Sequence, residues 1–426
     1  MNPNPSKSKP DYKLVKNYFK KIFEIPEDWQ YVQYRDVLTE VESPIDFSDD
    51  EFYHLITVKR RNEGLVLRNT LQGKEIETKN LFSVESGDFI IAKMQIIHGA
   101  CGLVPPSLAH AKISGSYLRF KSKEILDLEY FNHFSKTPLF YQHTLISSVG
   151  SNLEKMNFNK KHWLNHFFPL PPLKQQQKIS LILLNIDSII QQIQHVVDQT
   201  QKLKKGLMQE LLTKGITHSD FRKPKLDTIS QNWLFSTIGE HCEVGSGGTP
   251  NREKQEYYDG TIPWVKTTEI KYNTIMHTEE SITELALKES SAKKYPKRTV
   301  LLAMYGQGIT RGKCAILGID AAINQACAAI QTRDNIIPEF LFIWLQTQYE
   351  KIRNLSHGSH QSNLNLNLVK NMKIPILSIN EQQKIVSIIS NNDSLIQKQQ
   401  EYKSKLETLK KGLMQKLFTG QIRVKI

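Results

Sequence analysis

Residues 203–213 read LKKGLMQELLT and residues 409–419 read LKKGLMQKLFT, identical at nine of eleven positions and offset by 206. Outward from this stretch the offset holds without a gap: Gln176, Gln177, Lys178 and Ile179 recur as Gln382, Gln383, Lys384 and Ile385, and Pro169 recurs as Pro375. A repeat this long at one fixed offset marks an internal duplication.

The repeated run carries a seam whose spacing alternates between three and four: Ile179, Ile182, Ile186, Ile189, Ile193, Val196, Thr200, Leu203 and Leu207. The second copy has it in the same register, as Ile385, Ile388, Asn392, Leu395, Gln399, Tyr402, Leu406, Leu409 and Leu413. This spacing predicts two long helices, each with one narrow apolar edge as in a coiled coil, that bury their edges against each other. A Pro-rich lead-in (PLPPL, IPILS) precedes each copy, and Gly215 or Gly420 follows it. At about 38 residues and roughly 57 Å, each outlasts an ordinary core helix. The polar Thr200, Asn392 and Gln399 on the edges fix register at some cost in stability. Gly206 and Gly412 sit inside the helices, where Gly costs about 1 kcal/mol relative to Ala; close approach of another helix, or relaxed selection, would account for them.

The 426 residues allow two or three domains, and 39% hydrophobic content allows sizeable cores. There is no run of 18 apolar residues and no apolar segment in MNPNPSKSKPDYK, so a cytoplasmic protein is expected. Cys101, Cys242, Cys314 and Cys327 follow no metal-like or framework spacing, which predicts reduced thiols. A net charge of +13 favours a polyanionic or an acidic partner, although many basic proteins bind no nucleic acid.

Outside the helices lie two globular blocks. Residues 1–168 hold the first, residues 169–217 the first long helix, residues 218–373 the second block and residues 374–426 the second helix. Strands are expected at VQYRDVLTEV (32–41), 53–58, 64–68, 88–94 and 117–120, with a helical stretch from Phe131 to Ser148. In the second block they are expected at 262–268, 299–305, 313–319 and 326–331, followed by a helix from Pro338. Gly99-x-Cys101-x-Leu103 matches Gly312-x-Cys314-x-Ile316, so the blocks are diverged copies. A block of about 155 residues is only about 40 Å across, too short to carry the chain back along a roughly 57 Å helix. The expected fold is therefore α+β: a pseudo-twofold dumbbell with a block at each end of an antiparallel two-helix rod, its C-terminus returning near its N-terminus.

No catalytic constellation emerges. The Gly306–Cys314 segment has the wrong gap for a Walker A loop and Cys314 where a hydroxyl is needed, so it reads as a turn between strands. His357 and His360 lack Cys or acidic neighbours and read as a polar turn. Neither Asn2-Pro3-Asn4-Pro5 nor the carboxylates Asp259 and Glu269 forms a known site. What remains are loops of residue types that reach DNA. In the first block these are Lys59, Arg60, Arg61, Lys93, Gln95 and His98. In the second they are Ser246, Thr249, Asn251, Arg252, Lys266, Thr267, Tyr305, Gln307, Arg311, Lys313, His357, Ser359, His360, Gln361 and Asn363. Lys and Arg attract phosphates, Gln, Asn, Arg and His read base edges, and Gly lets backbone approach a duplex.

With its duplicated helices, Gly247-Gly248-Thr249-Pro250, Ile262-Pro263-Trp264-Val265 and the QQK helix starts, the chain resembles the specificity (S) subunit of type I restriction-modification enzymes. The first block has no counterpart of the GGTP or IPWV segments. The resemblance implies two target recognition domains that read a bipartite, asymmetric DNA site, and a helical rod gripped by two methyltransferase subunits. It further implies S-adenosylmethionine and ATP/Mg in partner subunits, restriction subunits joining the complex, and no catalysis in this chain. The alternative is a structural adaptor that joins two protein partners without reading DNA.

Overall fold

The duplicated run forms two long helices, Leu173–Lys214 and Ile379–Leu417. The structure is a computed structural model and describes residues 12–16, 22–150, 152, 156–216, 233–306, 309–355 and 363–426. The chain divides into two compact units, Met1–Gln194 with Glu401–Ile426, and His195–Gln400.

In the first unit Lys410 Nζ donates to Asp187 Oδ1 at 2.5 Å, and Lys403 Nζ donates to Gln194 Oε1 at 2.7 Å. Seven residues forward on one helix is seven residues back on the other, so the helix segments run antiparallel. In the second unit Lys204 Nζ reaches Asp393 Oδ1 at 2.5 Å. This is the same ion pair displaced by the repeat offset.

The seam differs from the sequence expectation at every second position. Ile179, Leu183, Ile193, Val197 and Leu211 are buried on the first helix, and Ile385, Ile389 and Leu417 on the second. The positions midway are half-buried: Ile186, Ile190, Thr200, Lys204 and Leu207, then Asn392, Ile396, Gln399, Lys403, Leu406, Lys410 and Leu413. The residues expected at the alternate positions, Ile189, Val196, Leu203, Leu395, Tyr402 and Leu409, are instead 40% to 57% exposed, and Ile182 and Ile388 only half-buried. The physical reason is that Lys204, Lys403 and Lys410 occupy seam positions, where Asp393, Gln194 and Asp187 satisfy their ammonium groups. Polar seam residues made the neighbouring ridge look like the edge. At Gly206 and Gly412 an added Cβ would meet nothing within 4 Å, so among the described residues no helix makes the close approach offered as one account of them.

The repeated glutamines explain why the helix starts stayed alike. Gln176, fully buried, accepts Asp127 N–H at 2.8 Å and donates to Ile125 O and Pro171 O, both at 2.8 Å. Its counterpart Gln382 accepts Ile337 N–H at 2.8 Å and donates to Asn335 O and Leu377 O. Each ties its helix to its own block with all amide functions used. The Pro-rich lead-ins pair as short strands, Phe167–Leu170 with Gln30–Gln33 and Lys373–Ile376 with Leu234–Thr237. Gly215 and Gly420 close the helices at φ 76° and 72°, conformations that favour glycine.

Both blocks share one topology. In the first, one sheet has the order Leu65–Gln72, Phe52–Val58, Lys112–Ser114, Leu81–Ser83, and the other Leu38–Glu40, Tyr117–Ser122, Phe89–Ala92, Cys101–Leu103. In the second, the corresponding orders are Glu280–Ile282, Tyr258–Val265, Ala321–Ile323, Lys293–Tyr295, and Cys242–Ser246, Cys327–Thr332, Val300–Ala303, Cys314–Leu317, with Thr274–Ile275 added at the edge. The single parallel pairing in each first-named sheet falls at the same place, Lys112 with Leu55 and Trp264 with Ala322. The unbroken apolar runs FIIA and VLLA form equivalent strands in which all four residues are buried. One expected strand is broken: within VQYRDVLTEV, a single helical turn, Tyr34–Val37, separates Gln30–Gln33 from Leu38–Glu40. Tyr34 there is fully buried and stacks on Trp163 and Phe168, which turns the chain into the core. A hairpin, Tyr12–Lys16 with Ile22–Pro26, opens the first unit, and the C-terminal tail returns to it through Tyr12 OH to Gly420 O (2.8 Å) and Arg423 to Asp28 (2.7 Å).

Candidate nucleic-acid interface

In the first block the structure brings the two candidate clusters together. Lys59, Arg60 and Arg61 are exposed at the hairpin tip between Phe52–Val58 and Leu65–Gln72. Lys59 N–H donates to Gly64 O at 2.9 Å to close the tip. Arg61 and Asn62 take φ of 60° and 56°, so their amides turn toward the Ile96–His98 turn. Arg61 N–H donates to His98 O at 2.6 Å and Asn62 N–H to Gly99 O at 3.0 Å. Gly99 takes a φ of 74°, a backbone conformation that favours glycine, and it is this that lets the turn meet the tip. Gln95 is half-buried beside them, while Lys93 turns away to donate to Gly115 O at 2.7 Å.

The second block places its candidates differently. Arg252 donates to Glu280 at 2.5 Å and lies over the Tyr258 and Trp264 rings, 4.7 and 5.0 Å from their centroids. Lys266 is held by Glu280 at 2.8 Å and Glu279 at 2.9 Å. The charge of both cations is thus offset by carboxylates that the sequence reading passed over, and this charge-assisted bonding raises both cations' pKa and lowers that of Glu280. Thr249 Oγ1 donates to Gln325 Oε1 at 2.5 Å, Asn251 Oδ1 accepts Glu253 N–H at 3.0 Å, and Ser246 O accepts Tyr295 OH at 3.0 Å. Thr267 opens the short turn Thr267–Glu269. Lys313 sits 5.9 Å over Tyr272, Tyr305 and Asn363 are exposed, and Arg311 is half-buried. Gln307, His357, Ser359, His360 and Gln361 lie outside the described residues. Among those described, no cluster of three or more potential metal ligands exists, and no helix is long and apolar enough to cross a membrane.

The GGTP segment serves the chain's own packing. A Cβ on Gly247 would fall 1.8 Å from Ile323 O, and one on Gly248 would fall 2.0 Å from Ser291 Oγ. Trp264 of the IPWV segment donates its indole N–H to Gly248 O at 3.2 Å, which ties the two segments together. The four cysteines are free and buried, and burial pushes the Cys101 and Cys242 thiols up to about 12, so none is poised as a nucleophile.

Comparison with known proteins fits this geometry. Residues 26–199 and 230–408 each match the family described as type I restriction modification DNA specificity domain. The specificity subunit of the type I restriction enzyme MjaVIII from Methanocaldococcus jannaschii is 25% identical, over 94% of both chains. The crystal structure of the HsdS subunit from Thermoanaerobacter tengcongensis superposes with a TM-score of 0.51 at 18% identity, covering 94% of this chain and 99% of that one. The S subunit from M. genitalium gives 0.57 at 15% identity, covering 92% and 96%. The protein carries this domain twice and belongs to the type I restriction modification DNA specificity family.

Proposed function

We propose that each block of this specificity subunit reads one short half-site of duplex DNA, the two differing in sequence, and that the helices hold methyltransferase subunits beside them. The observation that carries this reading is one strand order used twice with unlike loops: an exposed cationic hairpin tip in the first block, a carboxylate-braced Arg252 and Lys266 in the second. Equal scaffolds with unequal surfaces suit two equivalent partners and two different half-sites. The ridge of Ile189, Val196 and Leu203 with its copy Leu395, Tyr402 and Leu409 is the apolar surface left over for two methyltransferase subunits. Those subunits would bring S-adenosylmethionine to an extruded adenine, and restriction subunits would bring ATP and Mg. This chain is the non-catalytic member and supplies the address.

Mapping methylated adenines across the genome with and without the chain tests the reading. A bipartite, asymmetric motif should lose methylation, and exchanging residues 233–373 for another block should rewrite one half of it only. If no motif is lost, the reading is wrong. An adaptor that joins proteins without touching DNA would also lack the steep salt dependence that phosphate contacts impose on duplex binding.

A further inference from the structure

The hairpin tip and turn of the first block enclose, with the start of the helix Pro138–Ile146, a cavity of about 500 Å³. Arg60, Arg61, His98 and Lys136 line it, and no carboxylate does. Lys136 was not among the sequence candidates. It is half-buried and makes no salt bridge with a described residue. Burial first, and the nearby Lys410 second, hold its ammonium below the usual lysine range. Of the two acids that oppose this, Asp187 is already engaged by Lys410 at 2.5 Å, and Glu129 acts at longer range and forms no salt bridge with Lys136. Arg61 is exposed, also without a salt bridge, and its backbone is pinned by the 2.6 Å bond to His98 O. Lys136 immediately precedes Thr137, the N-cap of Pro138–Ile146, so the positive end of that helix adds to the same field. The cavity thus presents two cations without a described salt-bridge partner and no described carboxylate in its lining.

We infer that this cavity binds a phosphate ester, gripped by Arg61 from the hairpin tip and by Lys136 from the helix start. Its volume exceeds that of a bare phosphate and admits the attached sugar. The proposed DNA reading enters only in naming the source, which is a backbone phosphate of duplex DNA or a free nucleotide.

The test uses the purified full-length chain at constant ionic strength, titrated with inorganic phosphate, AMP and a short duplex of random sequence. The wild type should bind inorganic phosphate, and Lys136→Met and Arg61→Gln should each weaken that binding about tenfold, the effect of losing one charge-assisted contact. Lys136→Arg should retain it, which shows that loss in Lys136→Met is not misfolding, and Lys74→Gln, exposed and outside the cavity, should leave it unchanged. Duplex binding that falls with phosphate binding assigns the site to the DNA backbone, whereas loss of AMP binding alone assigns it to a nucleotide. Phosphate binding that is absent from the wild type, or unchanged in both Lys136→Met and Arg61→Gln, overturns the inference. If the duplex then still binds with steep salt dependence, the DNA reading survives and only the cavity assignment falls.

Discussion

The register of the helix seam can be decided with leucines alone. Leu203 and Leu211 lie on the same helix in the same unit, 57% and 9% exposed; their repeats Leu409 and Leu417 are 54% and 2% exposed. Leu211 packs with Ile238, Phe340 and Ile385, and Leu417 with Tyr130, Phe134 and Phe168. Truncating a buried leucine to alanine costs about 2–5 kcal/mol, because the lost transfer free energy is joined by the cavity left behind. A leucine more than half exposed loses under about 1 kcal/mol, since most of its surface is wet in both states. Leu211→Ala and Leu417→Ala should therefore each lower the urea midpoint of their unit by about 1 M, at slopes of about 2–3 kcal/mol per molar. Leu203→Ala and Leu409→Ala should move it by less than about 0.5 M on the same slopes. Unfolding is followed by tryptophan fluorescence, since each unit has its own indoles. The pairs replicate one another across the repeat, so a chance local effect would appear in one copy only. Equal losses within a pair would refute the register and restore the ridge of Val196 and Leu203 to the seam.

The remaining predictions concern charge. In a double-mutant cycle, the Lys410–Asp187 pair, 15% and 30% exposed, should couple by about 1 kcal/mol, and Lys204–Asp393, whose aspartate is 54% exposed, by about half that. Raising salt should erode the second more than the first. Arg119, 3% exposed, sits 2.5 Å from Asp88, itself 2% exposed, so Arg119→Met should cost about 3–5 kcal/mol by leaving a buried carboxylate without its cation and with only the Glu85 N–H bonded to it. Burial holds His143 near pH 3 and His133 and His166 near pH 4, below the usual value of about 6.5. They stay neutral in the folded state but protonate in the unfolded chain as pH falls below about 6.5, so stability is complete above that value and declines toward pH 4. On the order of 1–2 kcal/mol for each of His133 and His143 should be lost between pH 7 and pH 5, and less for His166, which interacts with both His143 and His162; urea midpoints that do not move over that range would contradict their burial.

Much of the fold was legible because its signals are local. The runs FIIA and VLLA are long enough and apolar enough to be buried strands, and the offset of 206 is plain in the letters. The seam register was not legible, because the lysines at 204, 403 and 410 are acceptable only beside acids and amides about 190 to 220 residues away in sequence. The loops show the same limit. Arg252 and Lys266 look alike to Arg60 and Arg61 as residue types, yet Glu280 binds the first pair and no described carboxylate lines the cavity at the second. Lys136 was passed over because nothing in TP after it, except a helix start, announces a cavity.

The two seam ion pairs are one pair written twice. Asp187 and Lys204 stand on one helix, and their partners Lys410 and Asp393 are their own counterparts. One copy of the helix therefore holds both the lock and the key: two identical halves, related by a twofold axis, would set Asp187 of each against Lys204 of the other. A matched acid and lysine within one helix copy is thus what lets the helices stay alike while the blocks beside them diverge.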